Sequence, residues 1–165
     1  MNTLAEINAM PRDQFVAAVG WIFEDSPWVA ERAWEHRPFA SLEALHRSMT
    51  GELEKATPAA KLALLRAHPD LGTRARVSAA SAGEQSGAGL DRLTAEEFEM
   101  FELLNAGYRE KFGFPFLYAV KGSDKHDIFV ALGVRMDSSP EEEFRNALLE
   151  VGRIAWFRLQ EAIAQ

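Results

Sequence analysis

Three short segments hold the residues of this chain best suited to acid–base chemistry: A-H-P-D-L-G at 67–72, S-A-G-E-Q at 81–85 and K-F-G-F-P-F at 111–116. The first two set His68, Glu84 and Gln85 within one stretch of a protein that has four histidines and no cysteine. An imidazole titrates near neutrality and can carry a proton in either direction, and a carboxylate beside it can orient or charge it. With no thiol there is no cysteine nucleophile, no disulfide framework and no thiolate metal site. Proline at 69 disfavours helical torsions at the residue before it, so His68 is expected at a helix end with its ring projecting from a turn. Such a turn can also serve only to cap a helix, and S-x-x-E at 81–84 has the spelling of a capping box. The sequence after it is Q-S-G-A-G rather than an apolar run, which weakens the capping reading. His36, His46 and His126 stand in polar or loop contexts and form no H-x-x-x-H pair, so no metal site is assigned.

The elements that must position these residues show a 3.6-residue period almost throughout, which predicts an all-α chain of about seven or eight helices in a single domain, 1–165. Thr3, ahead of Asn2, is the expected cap of a first short helix ending before Pro11, and Phe15, Val19, Ile22 and Phe23 form the stripe of a second through about Glu24. Ser26-Pro27 opens a segment through about Trp34, and H-R-P-F at 36–39 breaks it. Ser41 precedes a helix with Leu42, Leu45, Met49 and Leu53 on one face, and Thr57-Pro58 starts the next, which runs up to His68. From Gly72 to Leu90 small residues crowd together, among them Ala75, Ala79, Ala80, Ala82 and Gly83. Such a stretch fits a linker, or a loop or helix that lets a ligand approach the backbone. Thr94 and Glu97 spell a capping box for a helix through Phe112, which Gly113 ends. Residues 114–122 are read as a buried, irregular or helical-turn segment, because a lone strand has no partner. Asp124 starts a helix over Ile128, Leu132 and Met136. Ser139-Pro140 opens the last helix, where Glu141, Glu142 and Glu143 favour the positive end of the dipole.

Two helices carry a polar residue where packing alone would not put one. In the last helix Phe144, Leu148, Val151, Ala155, Leu159 and Ala162 form one stripe, and Arg158 falls within about 40° of its centre. An arginine there cannot shed its charge, so it needs an anionic or hydrogen-bonding partner from the protein or a ligand, unless it snorkels to water. In the helix from 94 to 112, Asn105 interrupts an aromatic stripe of Phe98, Phe101, Tyr108 and Phe112. Its simplest use is to tie down a loop carbonyl.

Composition narrows the function classes. The formal charge is −7, from 25 acids against 18 bases, which disfavours nucleic acid as a partner. A chain of 165 residues buries roughly 70% of its unfolded surface and needs no metal or disulfide staple. No apolar run approaches a membrane span and the first residues lack a signal-peptide pattern, so a cytoplasmic address is expected.

Six ordered segments together resemble one family: S-P-W-V-A-E at 26–31, R-P-F at 37–39, L-L-R-A-H-P-D-L-G at 64–72, E-Q-x-G-A-G-L-D at 84–91, N-A-G-Y-R-E-K-F-G-F-P-F at 105–116 and A-L-L-E-V-x-R-I-A-x-x-R-L at 147–159. The pattern is similar to OHCU decarboxylase, which acts on 2-oxo-4-hydroxy-4-carboxy-5-ureidoimidazoline (OHCU), the last intermediate between urate and allantoin. That resemblance implies an all-helical, cofactor-free, metal-free carboxy-lyase, commonly a homodimer, that forms S-allantoin. It implies His68 and Glu84 as catalytic residues. It also implies Pro69, Ser81, Gln85, Phe116, Leu117, Ala119 and Arg158 as substrate-binding residues, with Phe116, Leu117 and Ala119 acting through main-chain groups. The alanine- and glycine-rich stretch at 78–89 is blander than the family form. A helical ligand-binding module, or a lyase for a related ureido compound, stands as the alternative, since a fold fixes no reaction.

Overall fold

Most helix starts are set by a side chain that answers the orphan N–H groups of the first turn. The computed structural model describes residues 1–73 and 78–164, so Ala75 of the small-residue stretch lies outside the described residues. Thr3 and Glu6 form a capping box before α1 (Leu4–Ala9), which is followed by α2 (Arg12–Val19). A 3-10 turn over Gly20–Ile22 extends α2, so the predicted helix through Glu24 tightens and stops earlier. Then come α3 (Trp28–Ala33), α4 (Leu42–Lys55) capped by Ser41, and α5 (Pro58–Arg66) capped by Thr57 with proline in its first turn. Ser26 does not cap α3, because its hydroxyl donates to the Glu24 carbonyl at 2.8 Å.

Ser78 caps α6 (Ala79–Gly87), whose small residues thus form a helix rather than a linker. Thr94 and Glu97 make the predicted capping box of α7 (Ala95–Phe112), and Gly113 ends it with φ +82°, a left-handed torsion that glycine adopts without strain. Asp124 and Asp127 box α8 (Lys125–Met136), and α9 (Pro140–Ala162) follows. Nine α-helices among the described residues, against seven or eight expected, leave negligible sheet: Asn2–Thr3 pairs in parallel with Ile163–Ala164. None of these helices is long and apolar enough to cross a membrane.

Contacts group the chain into two compact units, one of Met1–Ala67 with Gly152–Gln165 and one of His68–Val151. In the first, Ile7, Phe15, Val19, Val29, Leu45 and Met49 are fully buried. Its breaker H-R-P-F is tied down by polar bonds. Asn8 and Phe39 exchange two hydrogen bonds at 2.8 and 2.9 Å, and Arg37 donates to the carbonyls of Asn8, Met10 and Trp34 while stacking 3.8 Å over the Trp34 ring. These bonds satisfy backbone groups that no helix could pair.

In the second unit the 114–122 segment is irregular and mostly buried, as expected. Tyr108 stands among Phe112, Phe114 and Phe116, with ring centres 4.6, 5.9 and 5.4 Å away. Of the three glutamates opening α9, Glu142 boxes with Ser139, while Glu143 is fully buried. The Glu143 carboxylate accepts from the Tyr108 hydroxyl and pairs with Arg135. Burial first, and Glu143 next, push the Tyr108 phenol far above its ordinary value.

In the first unit a buried acid also has a partner. The ring of His36 bonds to Glu52 at 2.7 Å, and Lys55 reaches the same oxygen at 3.2 Å. The His36 bond is the chief reason the Glu52 carboxyl sits below its ordinary value, against the opposing effect of burial. The unfolded chain therefore binds more protons in acid, and stability rises with pH across that window. The expected outcome is a loss of urea resistance as pH falls below about 4.5, with a shallower slope in His36→Ala; equal slopes would contradict it.

Candidate active site

α5 ends at Arg66, and His68 follows its cap residue, as the proline at 69 requires. His68 is 6% exposed, so it is held within the protein rather than displayed in solvent. From Asp70 to Gly72 each residue is gripped by a side chain from another element. Arg109 donates to the Asp70 carboxylate at 2.7 Å, Asn105 Nδ2 to the Leu71 carbonyl at 2.8 Å, and the Gly72 N–H to Gln85 Oε1 at 3.0 Å. Gly72 has φ +72°, and a Cβ there would meet a Leu93 methyl at 3.0 Å and the Phe101 ring at 3.3 Å, so glycine is required twice over.

The capping reading of S-x-x-E at 81–84 is corrected. Ser78 is the cap and its hydroxyl accepts from the Ser81 N–H, so Ser81, Glu84 and Gln85 stand inside α6. Positions 81, 84, 85 and 88 share one face. Ser81, Gln85 and Ala88 are buried and Glu84 is half-buried. A serine and an amide are thus buried on one helical face, and the amide reaches the turn that follows His68.

The third segment joins this set through α7. Tyr108, one turn beyond Asn105, meets Phe116, and Arg135 lies 4.9 Å over the same ring. The Leu117 carbonyl accepts from Arg135 at 2.7 Å and the Ala119 N–H donates to Glu150 at 3.0 Å. Of the three residues expected to meet a substrate through the main chain, Leu117 and Ala119 thus each have a main-chain group already bonded within the protein. Pro69 is half-buried beside His68.

Arg158 belongs to the first unit. It is 2% exposed and, as its place in the α9 stripe predicts, it has an anionic partner: Nη2 bonds to Glu24 at 2.9 Å. Nη1 reaches the carbonyls of Trp21 and Ile22 at 3.4 and 3.3 Å. Among the described residues no group of three or more histidine or acidic side chains is arranged to hold a metal ion.

Sequence reasoning missed Glu24, Arg109, Arg135 and Glu150. Glu24 lies far from Arg158 in the chain, and nothing local marks it. Arg109 had a signal, because it follows Asn105 by four residues and so shares its face.

Comparison with known proteins agrees with the six-segment pattern. The OHCU decarboxylase family matches residues 8–160. A 2-oxo-4-hydroxy-4-carboxy-5-ureidoimidazoline decarboxylase from Haloferax volcanii is 48% identical over 159 residues, covering 96% of this chain and 95% of that protein. One from Halalkalicoccus jeotgali is 45% identical over 159 residues, covering 96% of this chain and 90% of that protein. The crystal structure of an (S)-allantoin synthase is similar with a TM-score of 0.80 at 34% identity, over 98% of this chain and 54% of that one, so the chain spans about half of it.

The Gly72 N–H is buried, and Gln85 accepts its bond. Gln85→Met keeps the volume but removes the acceptor, and a buried unpaired donor costs ~1–3 kcal/mol. Urea unfolding is expected to show a loss of that size. Unchanged stability would mean that the turn does not depend on α6.

Proposed function

This chain belongs to the OHCU decarboxylase family, and on that premise we propose that His68 carries the proton of the reaction, Glu84 governs His68, and Arg158 binds a substrate oxygen that gains charge. The enzyme is a carboxy-lyase converting OHCU to S-allantoin. The observation that best supports His68 as its proton carrier is the grip on the following turn, where each of three successive residues has its own anchor.

The bond from the ring carbon to the carboxylate breaks, and its electron pair moves into the adjacent carbon–nitrogen double bond. The substrate therefore carries its own electron sink, the part that a cofactor plays in other decarboxylations. What the protein adds is orientation, release of carbon dioxide and a proton delivered to one face of the neighbouring, ureido-bearing ring carbon, while the hydroxyl on the carbon that lost the carboxylate gives up its proton and becomes the ring carbonyl. A held imidazole suits that delivery. Glu84, on the α6 face shared with Ser81 and Gln85, orients the imidazole or holds the substrate hydroxyl. Ser81, Gln85, Pro69 and Phe116 are read as pocket residues.

Arg158 acts best on a carbonyl oxygen of the ring or ureido group. Gripping the departing carboxylate would favour the ground state, whereas negative charge collects on the ring side in the transition state. Glu24 holds one arm of the guanidinium and so sets its plane. Leu117 and Ala119 contribute through the main chain. Glu150 accepts from the Ala119 N–H, so substrate binding there exchanges one acceptor for another. The same reading takes 1–165 as one functional domain, a homodimer and a cytoplasmic address. The family resemblance and the cysteine-free composition support it.

Decay of freshly generated OHCU, followed by absorbance, tests these roles. His68→Ala is expected to lower kcat by about 100-fold or more, the usual share of a positioned acid or base. Arg158→Lys keeps the charge but loses the planar fork, and a fall in kcat/KM of at least about tenfold is expected. Full turnover and affinity in the lysine variant would remove Arg158 from the charge-binding role.

A further inference from the structure

We propose that Asn105 and Arg109, on one face of α7, are positioning residues that set the catalytic geometry of His68 by fixing the turn behind it. The inference rests on the assignment of His68 above. Neither residue is given a contact with substrate. Each acts on the backbone or side chain of the segment that carries the imidazole.

Asn105 is 5% exposed within a stripe of aromatic side chains, and its Oδ1 is buried with no hydrogen-bond partner. For packing alone a leucine would serve better there, since it would bring no unpaired acceptor into the interior. What the amide achieves is a single 2.8 Å bond to the Leu71 carbonyl, three residues after His68. Arg109, one turn along α7, donates to Asp70 at 2.7 Å, two residues after His68. That pair is 50% and 32% exposed, so its net stabilisation is small. Its geometric effect does not depend on that stabilisation. Pro69 has one of its two backbone torsions locked by its ring. With Pro69 stiff, and Asp70 and Leu71 both held by α7, the backbone just after His68 has little freedom left. Proton transfer is steep in distance, and a displacement of ~1 Å at the reacting centre can cost ~100-fold in rate.

The test separates positioning from both substrate binding and simple folding. Arg109→Gln, at a half-exposed site, removes the ion pair without opening the core, and Asn105→Ala removes the amide. Each is expected to lower kcat by about tenfold while KM stays within about twofold, because the interaction lost acts on the catalytic group and not on the substrate. The pH profile of kcat should shift as well, since the imidazole changes its surroundings. Arg109→Lys, which still reaches Asp70, should recover most of the rate, and Arg109→Gln with Asp70→Asn should be no slower than Arg109→Gln alone. A folded Arg109→Gln with wild-type kcat and pH profile would overturn the proposal, as would losses confined to KM. If Asn105→Ala fails to fold, Arg109→Gln decides alone. Wild-type turnover abolished by His68→Ala but untouched by Arg109→Gln would reject this inference and leave the role of His68 standing. A fully active His68→Ala would instead reject the role on which the inference depends.

Discussion

A buried backbone amide or carbonyl must find a partner, and the described residues that follow α5, 68–73, have no regular structure to supply one. Its hydrogen bonds come from side chains on other elements: Gln85 on α6 for the Gly72 N–H and Asn105 on α7 for the Leu71 carbonyl. Much of the second unit follows from that demand. α6 must present an amide at position 85, α7 must interrupt its aromatic stripe at 105, and residue 72 must be a glycine to take a left-handed torsion against Phe101. The same requirement leaves His68 at a helix end with little freedom, which is the condition that the proposed proton delivery needs.

Buried charge imposes a second discipline. Glu143 in the second unit is answered by Arg135 and the Tyr108 hydroxyl, and Arg158 in the first is answered by Glu24. Such pairs seldom add much stability over a hydrophobic replacement, because desolvation offsets most of the attraction. Their value is geometric. Arg135 spends one guanidinium nitrogen on the Leu117 carbonyl and lies over the Phe116 ring, so the ion pair fixes the irregular F-G-F-P-F segment that no sheet or helix would hold. Glu24 likewise gives the Arg158 guanidinium a defined plane.

Helix starts were legible because their signals are local. Thr3, Ser41, Thr57, Thr94 and Asp124 each cap the helix that follows, and Pro69 marks the end of α5. Ser78 was obscured by the S-x-x-E three residues later, which spells a capping box but lies on the buried face of α6. Ser26 looked like a cap, yet its hydroxyl turns back to Glu24. The stripe of α9 marked Arg158 as a buried cation in need of a partner, and the stripe of α7 marked Asn105 as a tie for a loop carbonyl. Neither helical period could name the partner. Leu71 precedes Asn105 by 34 positions and Glu24 precedes Arg158 by 134, distances at which pattern carries no information. The partners emerge only when the chain has folded.

Stereochemistry reports most directly on a proton delivered by a held histidine. The measurement is circular dichroism of the allantoin formed from OHCU generated in place from urate, with the wild type or His68→Ala present. Rapid accumulation of one optically active product with the wild type, and slow racemic product with the variant, is the predicted result. Optically active product formed as fast by His68→Ala, or racemic product at the uncatalysed rate from folded wild type, would contradict it.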